Sequence, residues 1–458
     1  MPLPIPVGCR FLPLRIGGYL MLGWYATASL PARAGNDDEI FVGNQAAMSG
    51  GAVSATVSDS SATWYNPAGL GSVGQDEIDV SGTCYTLRAY SAPRFIASTT
   101  GQADAASVVE FVAVPAQIAY VRRMLPGLSL GLGYFVPQAS NLVLRESLRL
   151  HDNGRESDWQ VALNQVRVQH TAAIGLGLQL APRVRLGFSL VGTYQDEIQS
   201  LSVVAVQGAE AAPLQQRFSA STLLATASRL GLEAGAGFQI EVAPAWRLAL
   251  TVRSARVQLY QLLHISGAAG RASAEQDGAE GMIQGEIVEP SQQGARFDIL
   301  RAGRLGVGVA RLVGDGDWVS LEADVQPGID TASADVQRQP VLNVRLGVHH
   351  RVSESMAIGA GLFSDRSPDR PATRPLSGSG DFYGGSLGWE HSSRHRLGEG
   401  ERADALSFSS TLALRYAFSR GRLYNLAVDP DSPDELATRR GPLLVHELGL
   451  YVGGGLEF

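Results

Sequence analysis

The sequence predicts an all-β protein whose antiparallel strands close into a transmembrane β-barrel. Three observations predict this class. From about residue 77 onward, apolar and polar residues alternate with a period of two, which indicates strands with one apolar and one polar face. Short turns alternate with long polar connections, as they do in membrane barrels. After residue 34, no apolar run reaches the roughly 18 residues expected of a membrane-spanning helix.

The composition agrees with such a barrel and excludes other classes. Hydrophobic residues make up 45% and charged residues 18% of the chain, which is too polar for a helical membrane protein. Barrel strands show only half of their residues to lipid, so this composition suits them. The 53 glycines also favour strands over helices. A net charge of -7 argues against a nucleic-acid partner.

Residues 1–34 have the pattern of a cleaved secretory signal. Arg10 and Arg15 supply basic charge, residues 16–30 form the apolar part, and an A-x-A site ends at Ala34. The alternative is a membrane-anchoring helix, but the apolar run is interrupted by Gly23 and is shorter than the ~20 residues of a span. Cleavage would leave Cys84 as the single cysteine, which excludes an intramolecular disulfide.

The segment that follows the predicted signal carries three features in a fixed order. They are the small-residue run Met48 to Ala52, then Asp59 among serines and alanines, then the sequence WYNPAGL from Trp64 to Leu70. In this order they resemble the N-terminal hatch of the FadL/TodX family of outer-membrane transporters for long-chain fatty acids and other hydrophobic compounds. The resemblance covers the hatch closely and the rest of the chain only through strand rhythm and length.

The resemblance implies a fold and a function that the strand pattern alone does not give. Residues 35–75 would form a hatch inside the lumen of a barrel formed by residues 76–458, in the outer membrane of a Gram-negative bacterium. Long-chain fatty acids or other hydrophobic molecules would move inward by passive diffusion, and release would occur sideways through the barrel wall. In the family, the Asn-Pro-Ala motif lies beside an inward kink in the third strand, which places that role on Asn66, Pro67 and Ala68.

The strand pattern is clearest near the end of the chain. Between residues 405 and 418, Phe408, Leu412, Leu414, Tyr416 and Phe418 fall on one face, opposite small and polar residues. Residues 183–194 and 303–309 show the same pattern. Fourteen such segments are predicted, at 77–89, 108–123, 128–137, 166–180, 183–206, 220–241, 246–264, 297–312, 317–328, 341–352, 356–364, 382–391, 405–418 and 444–458.

The predicted connections fall into two groups. Tight turns rich in proline, glycine and serine are expected at 125–127, 181–182, 243–245, 314–316 and 353–355. Long polar loops are expected at 138–165, 207–219, 265–296, 329–340, 365–381 and 419–443. An even number of strands then places all the tight turns on the periplasmic side, with 392–404 as one long exception.

The last predicted strand ends on Phe458, which resembles the terminal signal that the outer-membrane assembly machinery recognises. The alternative is the final strand of a soluble domain. We expect a monomeric barrel in contact with outer-membrane lipid and lipopolysaccharide.

Four arginines fall on the predicted lumen face, Arg185, Arg253, Arg345 and Arg415, together with acidic residues such as Glu322, Asp324, Glu447 and Glu457. Paired inward charges can simply fill and rigidify a barrel. Alternatively, one of the arginines binds the carboxylate of an amphipathic substrate, since a guanidinium matches a carboxylate in shape. The sequence does not choose between these interpretations.

The third predicted strand contains candidates for the kink. Gly131 and Gly133 weaken a strand locally, and Pro137 cannot donate a ladder hydrogen bond. The alternative is that these residues only end the strand below a long loop.

No motif indicates an enzyme, a cofactor or a metal site. His391 and His395 lie in a predicted turn, and His349 and His350 point to opposite faces of a strand. The acidic stretch 429–435 lacks the spacing of a calcium loop. Two other functions stay open: a structural or adhesive barrel with a static plug, and an outer-membrane hydrolase, for which no catalytic pair is found.

Overall fold

The computed structural model describes residues 36, 39–98, 101–152, 155–209, 212–273, 284–288, 291–295, 297–314, 316–331, 336–369, 378–397, 404–428 and 436–458. The predicted signal at 1–34 and the acidic stretch 429–435 lie outside the described residues. No helix within these ranges has the length and hydropathy needed to cross a membrane.

The described strands form one closed antiparallel sheet and one separate hairpin. Strand β1 pairs with β2 on one side and with β20 on the other, which closes the sheet into a barrel. The hairpin consists of β14 and β15. The strands are β1 Glu77–Ser98, β2 Ala103–Leu125, β3 Leu128–Asp152, β4 Arg155–Ala181, β5 Val184–Ala209, β6 Ala212–Ala243, β7 Trp246–Arg253, β8 Arg256–Ser273, β9 Gln284–Val288, β10 Ser291–Gly294, β11 Ile299–Arg301, β12 Arg304–Leu312, β13 Trp318–Gln326, β14 Ile329–Thr331, β15 Val336–Arg338, β16 Val341–Ser353, β17 Met356–Asp365, β18 Gly378–Leu397, β19 Asp404–Val428 and β20 Leu436–Glu457.

The sheet has 18 described strand segments, which differs from the predicted 14 strands. The difference lies in two interrupted regions. Strands β7 and β8 both pair with β6, one after the other along its length. Strands β9, β10 and β11 all pair with β8, while β12 pairs with β7. Short breaks in the strand pairing therefore divide segments that the sequence pattern shows as continuous strands. One such break, Ser254–Ala255, separates β7 from β8.

The tight turns are confirmed between β2 and β3, β4 and β5, β6 and β7, and β16 and β17. We call this end of the barrel the turn end and the opposite end the loop end. The predicted long loops at 138–165 and 207–219 are wrong, because β3 to β6 continue through them as paired strands. Likewise, His391 and His395 lie in β18 rather than in a turn. In these extensions the inward residues are apolar, as Leu144 and Trp159 are, and the outward residues are mostly polar, so the two faces are reversed relative to the predicted membrane strands.

The outer face of the barrel carries an apolar belt. Phe408, Leu414 and Phe418 have 49%, 47% and 42% of their surface exposed, whereas the inward residues Thr411 and Ala413 between them are buried. The predicted inside and outside faces of 405–418 are therefore confirmed. Phe408 and Phe418 are ten residues apart, which in a strand tilted by about 40° corresponds to a height of roughly 25 Å, the thickness of an apolar membrane belt.

Two apolar clusters fill the inside. The larger one surrounds residues 40–73 and includes Met48, Leu70 and Phe363. The second lies at the loop end, where Ile96, Trp159 and Leu426 pack together from different strands. There the tip of β1 crosses over to pair in parallel with β19 at 426–428. The loop end is thus partly covered by the barrel's own strands.

Candidate functional site

Residues 39–75, here called the N-terminal segment, lie inside the barrel. The segment contains helices α1 (Asn44–Met48) and α2 (Ala62–Tyr65) and a 3₁₀ helix (Pro67–Ser72). Its residues contact strands on all sides of the closed sheet, from β3 to β6 and from β12 to β20. Contacts all the way round a closed sheet are possible only from within.

A ring of glycines on the inner face of the wall accommodates this segment. A Cβ atom placed on any of them would come within 3.0 Å of an atom of the N-terminal segment. The approach is closest at Gly237, where the Cβ would lie 1.9 Å from Asn66 Oδ1. At Gly177, Gly187, Gly347 and Gly361 the nearest atom belongs to the backbone of the segment, a contact that only glycine permits. The members of this glycine ring are Gly131, Gly175, Gly177, Gly187, Gly237, Gly308, Gly347, Gly359, Gly361, Gly388 and Gly453.

The predicted motif Asn66-Pro67-Ala68 is fully buried against β5 and β6. Asn66 Oδ1 accepts a hydrogen bond from Ala68 N at 3.1 Å and so caps the 3₁₀ helix. Asn66 Nδ2 donates to Ser54 O at 2.7 Å and to Phe238 O of β6 at 3.4 Å. Proline at the first helical position needs no hydrogen-bond partner for its nitrogen. The motif thus joins the segment to itself and to the wall.

Further polar contacts hold the segment to the adjoining part of the wall, from β6 to β13. Ser54 N donates to Glu322 Oε2 at 2.9 Å, and Gln239 Nε2 donates to Ser54 O at 3.0 Å. Arg253 donates to the carbonyl oxygen of Trp64 and lies 4.3 Å above the Trp64 ring. These are buried hydrogen bonds, which are costly to break without replacement.

The four predicted lumen arginines all form ion pairs within the protein. Arg185 lies 3.3 Å from Glu241, Arg253 lies 3.4 Å from Glu233, and Arg345 lies 2.6 Å from Asp324. Arg415 pairs with Glu447 and lies against the rings of Phe41 and Phe363. The structure does not bring all four together, but Arg253 and Arg345 line the same cavity.

The predicted kink residues lie where the wall is interrupted. Strand β2 pairs with β3 only from Gln117 to Leu125, opposite Phe135 to Leu128. Beyond Phe135, the register of β3 against β4 shifts, and Val136 and Pro137 are skipped. Gly133 has no side chain, and the buried Phe135 ring lies in the space that a Cβ atom of residue 133 would take. The Phe135 ring also packs beside the Trp64 ring. Backbone hydrogen bonds between β2 and β3 therefore end at this point.

Side chains and the N-terminal segment replace the missing ladder across this break. Ile40 N donates to Pro137 O at 3.1 Å. Arg88 of β1 donates to Ala139 O at 3.0 Å, and Glu110 of β2 accepts from Asn141 N. These bonds satisfy Pro137 O, Ala139 O and Asn141 N on the edge of β3 with which β2 no longer pairs.

Arg88 is the centre of a buried charge cluster that sequence reasoning missed. Its side chain is fully buried and pairs with Glu39 of the N-terminal segment, with Glu447 at 2.6 Å, and with Glu110 at 3.6 Å. The inward position of Arg88 follows from the alternation in β1. Its partners come from sequence positions 39, 110 and 447, and no local pattern links them.

Two small cavities adjoin the segment. One lies beside Pro67 and is lined by Trp64, Arg253, Arg304 and Arg345 among others. The other is mostly apolar and lies beside Phe41 and Tyr451. Within the described ranges, no three or more histidine, cysteine or acidic residues form a group that could hold a metal ion.

Comparisons with known proteins place the fold. No family model matches the chain, and no curated protein matches it in sequence. A FadL homologue of Pseudomonas aeruginosa is similar in structure, with a TM-score of 0.59 and 11% identity over 93% of this chain and 100% of its own. The P. putida toluene transporter TodX has a TM-score of 0.57 and 14% identity over 92% of this chain and 99% of its own. The monoaromatic hydrocarbon channel CymD has a TM-score of 0.50 and 12% identity over 91% of this chain and 97% of its own. The chain therefore has the closed all-β fold of the FadL and TodX proteins.

Proposed function

We propose that this chain is an outer-membrane protein of a Gram-negative bacterium through which hydrophobic compounds pass by passive diffusion. The N-terminal segment, within residues 35–75, is its hatch, and residues 76–458 are the barrel. The apolar belt of about 25 Å supports a transmembrane position. The observation that carries the proposal is the combination of a segment that contacts the wall on all sides with an interruption of the wall beside it.

The interruption between β2 and β3 is the proposed exit. A hydrophobic molecule that leaves there enters the lipid directly and avoids the aqueous periplasm. The break is bridged by side chains and by Ile40, and these bonds can be exchanged without unfolding a strand. Movement of residues near Glu39 and Ile40 would release the bonds to Arg88 and Pro137 together, which couples the hatch to the exit.

The substrate is a long-chain fatty acid or a neutral hydrophobic compound. Among similar structures, TodX is a toluene transporter and CymD a monoaromatic hydrocarbon channel. A fatty-acid carboxylate that binds Arg185, Arg253, Arg345 or Arg415 has to compete with an existing acidic partner. A neutral compound meets no such competition.

The second candidate is a structural or adhesive barrel whose plug never moves. It is favoured by the same ion pairs, because inward charges that neutralise each other fill and stiffen a barrel. The two candidates differ in whether the motif Asn66-Pro67-Ala68 has to change its contacts.

Uptake by a transport-deficient host, with and without the combined change Asn66→Gly, Pro67→Ser and Ala68→Gly, tests the proposal. Radiolabelled oleate and toluene serve as the probes, and they distinguish the two substrate classes. We expect uptake of at least one probe by the natural sequence and a clear change in its rate in the variant. The matched control puts the same three residues into the exposed turn at Ser353, Glu354 and Ser355, where uptake should not change.

The outcomes separate the candidates. Equal uptake by the natural protein and by the variant with the changed motif would rule out the gating role. If neither probe is taken up although the barrel is correctly inserted, the static structural barrel is favoured.

A disulfide between Ala55→Cys and Gly308→Cys adds an independent test, because the two Cβ atoms would lie 3.5 Å apart. Ser54→Ala and Cys84→Ser complete this variant by removing a steric clash and a competing thiol. A moving hatch predicts that oxidation stops uptake and that reduction restores it.

A further inference from the structure

A group of arginines lies on the outer wall just beyond the apolar belt at the loop end. On β19, outward positions continue from Phe418 to Arg420 and Arg422, both of which are exposed. Arg440 of β20 lies opposite Tyr424, and Arg366 follows the end of β17. Arg366, Arg420, Arg422 and Arg440 are here called the arginine patch.

The position of the patch matches that of lipid headgroups. Phe418 pairs with His446 and packs near Tyr383, and these rings mark the upper edge of the apolar belt. Arg420 and Arg422 come two and four residues later on the same face. At roughly 3.3 Å per residue, their Cα atoms lie about 7 and 13 Å farther along the strand. Aromatic residues at this level mark the boundary between the hydrocarbon and the headgroups.

The patch carries more positive than negative charge. Asp381 is the acidic residue on the described part of this face, and it is already engaged by Ser367 N at 3.0 Å and by Arg366 at 3.4 Å. Arg440 is held in place, because it donates to Tyr424 Oη at 3.0 Å and lies over the Tyr424 ring. Three guanidinium groups therefore face outward next to an apolar surface.

We infer that the arginine patch binds the phosphate groups of a phosphorylated glycolipid in the outer leaflet, while the apolar belt below contacts its acyl chains. Guanidinium groups bind phosphate through paired hydrogen bonds, and a basic cluster next to a hydrophobic surface suits an anionic lipid better than a soluble anion. The inference rests on the proposed outer-membrane location but not on transport. Lipid binding and uptake are measured separately, so failure of one does not imply failure of the other.

The test measures binding of bisphosphorylated lipid A to the purified full-length barrel in detergent. The variant carries Arg420→Gln and Arg422→Gln. The control carries Arg122→Gln and Arg183→Gln, which removes the same charge from exposed positions at the turn end. We expect binding by the natural protein and the control, and a loss of about tenfold or more in the patch variant, because charged hydrogen bonds to phosphate are lost.

Two further probes identify the source of the phosphate. Lipid A without phosphates should bind about as weakly to the natural protein as phosphorylated lipid A binds to the patch variant. Inorganic phosphate at millimolar concentration should not displace lipid A. Equal binding of both lipid forms, equal losses in the two variants, or displacement by inorganic phosphate would each overturn the inference. Heat-dependent migration of the folded barrel in gels confirms that each variant is folded.

Discussion

At the scale of single residues, glycines, which have no side chain, determine how closely the wall and the N-terminal segment approach each other. Each member of the glycine ring lets a strand come so close to the N-terminal segment that an added Cβ atom would lie within 3.0 Å of an atom of the segment. These positions differ from ordinary strand glycines, some of which face open space. The contrast between the two kinds can be tested on one strand.

Gly187→Ala should loosen the N-terminal segment, whereas Gly192→Ala should not. Both residues lie in β5, but the new Cβ would come within 2.2 Å of the backbone of Pro67 in the first case and no closer than 3.9 Å to any atom in the second. Overpacking of this kind costs about 1–3 kcal/mol. The expected result is faster protease cleavage within residues 39–75, measured by mass spectrometry. Equal cleavage rates would contradict the close contact.

Asp59 should make the docking of the segment depend on pH. Burial raises the pKa of its carboxyl to about 7, and the charges of Asp79 and Glu390 act in the same direction, against a hydrogen bond from Ser61. A raised pKa means that the folded protein favours the neutral acid, so this contribution is present at low pH and is lost as the pH rises through about 7.

The corresponding measurement follows protease protection of the segment between pH 5 and pH 8. Protection should decrease across this range in the natural protein and decrease less in Asp59→Asn, where the contribution of Glu39 remains, because burial raises the pKa of that carboxyl to about 7 as well. An undiminished pH dependence in Asp59→Asn would assign the effect to another group.

At the scale of elements, the interrupted pairing of β2 and β3 is the main local departure from a regular barrel. The sequence indicates the weak point through Gly133 and Pro137. It does not show that Arg88, Glu110 and Ile40 bridge the break, because these residues meet only when the strands are arranged side by side.

Glu110→Gln should weaken this bridge. Glu110 accepts hydrogen bonds from Asn141 N and from the hydroxyl of Tyr90, and a neutral amide binds these donors less strongly than a carboxylate. We expect hydrogen exchange at the amides of residues 139–141 to become about tenfold faster, as for a loss of about 1.4 kcal/mol. The control is Glu156→Gln, whose partner Arg149 is exposed. Unchanged exchange in Glu110→Gln would show that the bridge does not stabilise the break.

At the scale of the whole molecule, the apolar belt defines how the proposed membrane barrel would lie in a bilayer. Leu414 is near the middle of the belt and Phe418 at its edge. An arginine costs about 2–4 kcal/mol at the bilayer midplane and about 0–1 kcal/mol near the interface. Leu414→Arg should therefore destabilise the barrel in lipid vesicles more than Phe418→Arg, as measured by urea denaturation. If Phe418→Arg destabilised the barrel more than Leu414→Arg, the position assigned to the belt would be wrong.

The sequence predicts the barrel far better than the site. Period-two alternation in 405–418 is visible because lipid and lumen demand opposite chemistry on the two faces. The extensions of β3 to β6 escape a prediction based on membrane strands, because outside the belt the contrast is inverted: inward residues such as Leu144 and Trp159 are apolar and outward residues are mostly polar. The pairing of Gly237 with Asn66 depends on which strand closes against the segment, and that is a property of the assembled barrel.

The glycine ring also determines what the protein would be without its N-terminal segment. At these ring positions the wall carries no side chains, so a barrel without the segment would have a wide bore there. In the proposed membrane barrel, loss of residues 39–75 would open a broad water-filled hole. The same glycines that let the segment fit closely therefore make its retention essential to the membrane barrier that the proposed function requires.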